Sequence, residues 1–157
     1  MPSEKGITDY GLHLPYYRLK RKTVIDAMGW FNPALAALGR GDKAVANWDE
    51  DSLTMAVAAA RGCYASADKS ETGSLYLAST TLPYAERSNA GIAAAAINLP
   101  DQLKTVELGG STRCGLTALN AALNDKDEGL KLVCASDSRL GKPGGANEIL
   151  FGDGAAA

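Results

Sequence analysis

Residues 104–115 read Lys104-Thr105-Val106-Glu107-Leu108-Gly109-Gly110-Ser111-Thr112-Arg113-Cys114-Gly115, and the fold turns on how they are parsed. Lys104 to Leu108 predicts a strand and Gly109 to Thr112 a tight turn. Ser111 or Thr112 can cap the helix that follows, which is expected to run to about Leu123. Downstream, Asn124 to Gly129 is a polar loop and Leu130 to Ala135 a buried strand. Ser136 to Asn147 reads as a loop containing Pro143, and Ile149-Leu150-Phe151 leads to a last strand starting near Gly154. Upstream, Ser74 to Ser79 is a short apolar run that reads as a buried strand, ended by Thr80, Thr81 and Pro83. Glu86 to Ile97 predicts a helix, stopped by Pro100. Its alanines, Ala90 and Ala93 to Ala96, require a closely packed neighbour.

The N-terminal part follows the same alternation. Ile7 to Leu14 reads as a strand closed by Pro15, and Tyr16 to Lys22 is a basic stretch leading into a helix from Thr23 to Met28. Trp30 to Gly41, broken by Pro33, Gly39 and Gly41, reads as a short helix and loop. Asp49-Glu50-Asp51-Ser52 precedes a helix whose Leu53, Ala56, Val57 and Ala60 fall on one face. The acidic start suits the helix dipole, and the helix is expected to end around Gly62 to Ser66. Strands alternating with helices imply an α/β fold, a mixed and mostly parallel sheet with helices on both faces. No internal repeat or linker divides residues 1–157, which read as one domain.

Composition narrows the function. The 157 residues carry 16 basic and 18 acidic side chains, a net charge of −2, which argues against a dedicated nucleic-acid binder. Hydrophobic residues make up 46% and charged residues 22%, as in soluble globular proteins rather than disordered ones. The apolar runs are too short to span a membrane. Met1 to Asp9 has no apolar signal-peptide core, so a cytoplasmic protein is expected. The sequence stops at Gly154-Ala155-Ala156-Ala157 with no polar tail. That reads as a strand cut at its beginning, hence a fragment of a longer protein.

Several familiar chemistries are excluded by pattern. The phosphate-loop signature, Gly-x-Gly-x-x-Gly and Gly-x-Ser-x-Gly are all absent. Cys63, Cys114 and Cys134 are odd in number and widely spaced, which disfavours a disulfide framework or a zinc site. Cys63 and Cys134 read as packing residues, and His13, beside Pro15, as a structural histidine. The turn before Cys114 is the candidate that remains. A helix start offers free N–H groups and positive dipole, which lower a thiol pKa. Arg113 adds positive charge there, and a thiolate in that setting can take an acyl group as a thioester. The same residues also fit a cap followed by a buried small thiol.

Five stretches resemble hydroxymethylglutaryl-CoA synthase-like proteins of the thiolase-like superfamily. They are Gly6-Ile7-x-x-Tyr10-Gly11 with Pro15, Asp49 to Ala56, Ala78-Ser79-Thr80-Thr81-x-Pro83-Tyr84-Ala85, Cys114 to Leu119, and Phe151 to Ala156. They span the chain in family order. The resemblance implies the first half of a fold built from two similar α/β halves. It also implies a homodimer and carbon–carbon bond chemistry on a coenzyme A thioester, with coenzyme A as substrate and no tightly bound cofactor. Some relatives work beside a small partner carrying a zinc ribbon and an OB-fold.

The resemblance also implies a nucleophilic cysteine at a strand-to-helix turn, a glutamate acid/base after an earlier strand, and a histidine in the second half. Counting back from Ala118-Leu119, the nucleophile position falls on Thr112, with Cys114 two residues later. Two residues rotate a helical side chain by about 200°. The glutamate position falls on Thr80, with Glu86 the nearest carboxylate in sequence. The histidine would lie past Ala157. Three readings stand open. Cys114 serves after a register shift, or the acyl-CoA pocket works without a covalent intermediate as a lyase or aldolase, or the protein is a non-catalytic relative. For substrate binding, Arg18 in the basic stretch is a candidate for the phosphates of coenzyme A. Arg113 and the loop from Arg139 to Gly145, with Gly144 and Gly145, are candidates to line the ligand site.

Overall fold

The computed structural model describes residues 5–65 and 67–157. Met1 to Glu4, part of the stretch read for a signal-peptide core, and Ser66, the expected limit of a helix end, lie outside the described residues. The elements are β1 (Leu12–His13), β2 (Tyr17–Lys20), α1 (Arg21–Met28), a 3-10 turn (Pro33–Ala37), β3 (Asp42–Val45), α2 (Ser52–Cys63) and β4 (Thr72–Ala78). After them come α3 (Asn89–Ala96), β5 (Lys104–Leu108), α4 (Cys114–Asn124), β6 (Leu130–Asp137), α5 (Ala146–Leu150) and β7 (Gly154–Ala156). Five strands form one sheet in the order β1-β7-β6-β4-β5. β4 pairs in parallel with both β5 and β6, while β7 runs antiparallel to β6 and β1. The fold is α/β, with a mixed sheet whose centre is parallel.

β4 is the middle of the core. Leu75 and Leu77 point to one face, where they meet Leu53, Ala56 and Ala60 of α2, Ala90, Ala93 and Ala94 of α3, and Leu132 and Cys134 of β6. Tyr76 and Ala78 point to the other face, against Cys114, Ala118 and Ala122 of α4. The alanine-rich helices thus have the close neighbour that their composition requires. α2 is also tight against the edge strand. A Cβ on Gly11 would stand 2.1 Å from the Ala59 carbonyl oxygen, so only glycine permits this approach. Asp51 caps α2 through a reciprocal capping box with Thr54.

Four expectations are corrected. The strand expected over Ile7 to Leu14 is assigned only at Leu12–His13, with Gly11 bonded to Ala157 just before it, and Ile7 to Tyr10 lie along a groove instead. The helix expected from Glu86 starts at Asn89. The Glu107 carboxylate accepts the Ala90 N–H at 2.9 Å, and Ser88 caps the Gly91 N–H. Residues 17–20 and 42–45 form a separate two-stranded antiparallel sheet that no apolar pattern announces. The loop expected over Ser136 to Asn147 starts later, after β6 ends at Asp137, and gives way to α5, which takes in Ile149 and Leu150.

The 17–47 excursion clamps the segment after β6. Arg21 Nε donates to the Ile149 carbonyl at 2.7 Å, Asn32 to the Gly144 carbonyl, and Lys43 to the Glu148 carbonyl. At the sheet edge His13 pairs with Glu50 at 2.7 Å, as suits a structural histidine. The Asn47 N–H, then His13, holds the Glu50 carboxyl below its usual range. α4 leaves part of its sheet face uncovered. A groove of roughly 860 Å³ runs there between α4, β6 and the 5–10 segment.

At the opposite end of the sheet from the Ser79–Thr81 turn, Tyr76 Oη donates to Asp125 at 2.5 Å, and Lys104 bridges Asp125 and Asp127 at 3.1 and 3.0 Å. The Tyr76 hydroxyl, the Asp127 N–H and the Lys104 ammonium, in that order, hold the Asp125 carboxyl well below the usual range. A depressed carboxyl stabilises the fold above its unfolded pKa of about 3.9 and loses that contribution as pH falls. Asp125→Asn is therefore expected to lower the urea midpoint at pH 7. It should also flatten the loss of stability below about pH 4. An unchanged acid limb in urea titrations would refute this role for Asp125.

Candidate functional site

The parallel strands β4, β5 and β6 end side by side, where ligand crevices form in open α/β sheets. Beyond β4 comes Ser79-Thr80-Thr81, beyond β5 the 109–113 turn, and β6 ends on Asp137. The Ser79 N–H bonds the Leu108 carbonyl at 3.0 Å. A Cβ on Gly109 would lie 3.1 Å from the Ser79 carbonyl oxygen, so the two turns abut.

Asp137 organises this end. Its Oδ1 accepts the Thr80 N–H at 2.7 Å and the hydroxyls of Thr80, Thr81 and Ser79 at 2.9, 3.1 and 3.2 Å. The Thr81 hydroxyl in turn accepts the Ser138 N–H, and its carbonyl accepts the Ser52 hydroxyl at the start of α2. Arg139 completes the cluster. Its Nη2 donates to Thr80 Oγ1 and lies 3.6 Å from Asp137 Oδ2. Its guanidinium stacks over Phe151 at 4.5 Å, and its backbone N–H donates to Asp153 Oδ1 at 3.1 Å. Asp153 Oδ2 accepts the Ala46 N–H at 2.7 Å, which links the cluster to the 17–47 excursion.

The turn after β5 takes a different form from the expected cap. The residue before α4 is Arg113, without a side-chain cap. Ser111 instead accepts the Arg113 N–H at 3.2 Å, and Gly110 takes a left-handed φ of +76°. Ser111, Thr112 and Arg113 are exposed, and Thr112 lies at the end of the groove. Cys114 is buried under Tyr76, Ala78 and Ala118.

Among the residues singled out in the sequence, the structure joins Thr80 to Arg139 directly. It places Thr112 on the groove and Cys114 in the core. The others are dispersed. Glu86 is exposed in the turn before α3. Arg18 donates to the Pro15 and Tyr17 carbonyls of its own strand region. Gly144, with φ +71°, is buried against Met28 and Phe31, and Gly145 precedes α5. Asp137 and Asp153 were not singled out. Asp137 lay just past the expected strand end, although Phe151-Gly152-Asp153 did mark a family-like stretch.

All three cysteines are free. Burial pushes the Cys134 thiol up to about 12 and raises that of Cys63. Among the described residues no helix is long and apolar enough to cross a membrane, and no three His, Cys, Asp or Glu side chains cluster as metal ligands do.

No family model matches the chain. It does resemble known proteins along its length. It is 32% identical over 161 residues to the hydroxymethylglutaryl-CoA synthase of Methanocella arvoryzae, covering 97% of this chain and 45% of that protein. To the same enzyme of Methanobrevibacter smithii it is 34% identical, covering 97% of this chain and 46% of that one. The solved structure of MvaS in complex with 3-hydroxy-3-methylglutaryl coenzyme A superposes with a TM-score of 0.82 at 24% identity, over 96% of this chain and 38% of that one. The chain spans less than half the length of these relatives. Its fold is a thiolase-like half-fold. Within that superfamily the chain belongs with the hydroxymethylglutaryl-CoA synthase-like proteins.

Asp137→Ala removes one acceptor from four donors. It is expected to cost about 1–3 kcal/mol of stability, with Asp137→Asn milder. Equal urea midpoints for wild type and Asp137→Ala would refute the organising role.

Proposed function

We propose that the chain is the N-terminal half of an acyl-CoA-dependent acyltransferase that forms carbon–carbon bonds, cytoplasmic and acting on a coenzyme A thioester. What carries this reading is the similarity to hydroxymethylglutaryl-CoA synthases along nearly the whole chain. The strand ends are where ligands bind in open α/β sheets, and N–H groups of the 109–113 turn suit an oxygen on which charge develops. In this reading a second, similar half packs on the α4–β6 groove and brings the histidine. The assembly is a homodimer, with a small zinc-ribbon and OB-fold protein as a further candidate partner. Arg113 and the Arg139–Gly145 segment are the substrate-facing basic residues.

A second reading follows from two observations. Cys114 packs into the core, and Thr80, where the resemblance expects a glutamate, is bonded on both sides. Both favour an acyl-CoA pocket used without a covalent intermediate, as a lyase or aldolase uses it. Incubation of the full-length protein with labelled acetyl-CoA, followed by peptide mapping, separates the two. Label on Cys114 supports the acyltransferase, label on Thr112 its counted position, and binding without any adduct the non-covalent enzyme. Absence of binding overturns both.

The groove generates a test of the half-fold itself. Residues 1–157 expressed alone leave Leu116 and Leu123 of α4 exposed along it and are expected to aggregate. A stable, soluble monomer in sedimentation experiments opposes the half-fold reading.

A further inference from the structure

At the strand ends most polar groups bond one another, and the Arg139 guanidinium keeps donors open. Asp137 Oδ1 already receives four donors. The Thr80 hydroxyl gives its proton to Asp137 and accepts from Arg139. The second oxygen of Asp137, Oδ2, faces the Arg139 guanidinium at 3.6 Å. That guanidinium carries five N–H donors. Among the described residues only Nη2 has a hydrogen-bond acceptor, which leaves Nε and Nη1 without one. The side chain is 18% exposed, so these donors have limited access to water.

The guanidinium is also fixed. The Phe151 ring lies beneath it, Thr80 and Asp137 hold one edge, and Asp153 holds its backbone N–H. A donor fixed before the ligand arrives needs no reorganisation on binding. The surrounding charge selects the ligand atom. Two carboxylates, Asp137 and Asp153, bond this segment against one guanidinium. A free carboxylate or phosphate is therefore disfavoured, and an uncharged carbonyl oxygen suits the open donors.

We propose that Arg139 contacts substrate, its free N–H groups donating to the carbonyl oxygen of an acyl thioester bound at the ends of β4 and β6. This rests on the acyl-CoA reading above and adds the residue that distinguishes a thioester from its carbonyl-free analogue. The contact polarises the carbonyl without any covalent step.

The test uses the full-length protein and two probes in calorimetric titration. Acetyl-CoA has the carbonyl, and S-ethyl-CoA, the corresponding thioether, lacks it. Arg139→Met keeps an apolar side chain on Phe151 without donors, and Arg139→Lys keeps a donor. Wild type is expected to prefer acetyl-CoA about tenfold, as for one hydrogen bond to a charged group. Arg139→Met should remove that preference by weakening acetyl-CoA alone, and Arg139→Lys should restore part of it. An equal loss for both probes in Arg139→Met, or an undiminished preference, overturns the proposal. If Arg139→Met does not fold, Arg139→Lys decides alone: an unchanged preference overturns the contact and a reduced one supports it. Wild type that binds neither probe overturns the acyl-CoA reading and this contact with it, whereas binding of both without preference overturns only the contact.

Discussion

β4 is hydrogen-bonded to a parallel strand on each side and covered on both faces, and the other elements are placed by that requirement. A parallel strand needs crossover connections and apolar cover above and below. α2 and α3 supply one cover and α4 the other. Because α3 and α4 connect β4 to β5 and β5 to β6, all three strands end at the same edge. Ser79–Thr81, the 109–113 turn and Asp137 come together there for topological reasons. The small residues follow from the same requirement, since Ala56, Ala60, Ala90 and Ala93 allow two helices to lie close over one strand pair.

The site end of the sheet is held by polar bonds rather than by apolar packing. Strands that stop together leave backbone donors without ladder partners, and these need acceptors. Asp137 meets that need for Thr80, and Asp153 does so for Arg139 and Ala46. The two carboxylates connect β4, β6, β7 and the 17–47 excursion at one corner. The excursion is ordered against the rest by two means: Val24 and Leu35 pack on Ile149, and Arg21, Asn32 and Lys43 donate to carbonyls of residues 144–149.

The sequence was legible where structure is set locally. The β5 boundaries, the capped start of α2 and the alternation of elements follow from periodicity and turn residues. Distant partners hid the rest. α3 begins at Asn89 because Glu107, on β5, accepts the Ala90 N–H and the Asn89 side-chain amide. β2 and β3 pair with each other through polar and half-exposed residues, which show no apolar alternation. Ile7 to Tyr10 look like a strand by composition but find no strand partner. At the site, family-like stretches pointed to Thr80 and the 109–115 turn. Asp137 stayed hidden because its partners lie 56 to 58 residues away.

Thr80 and Asp137 are best understood together. The position where the resemblance expects a glutamate faces the Asp137 carboxylate and the Arg139 guanidinium at once. A second carboxylate there would suit Arg139, but it would stand against Asp137, and two carboxylates in such contact do not both ionise readily. A hydroxyl meets both neighbours, as donor to one and acceptor from the other. Threonine at this position is thus the side chain that the surrounding charges admit, and the departure from the family pattern is matched by its neighbours. Thr80 is thereby engaged on both sides. Among the described residues, Nε and Nη1 of Arg139 remain there without a hydrogen-bond acceptor.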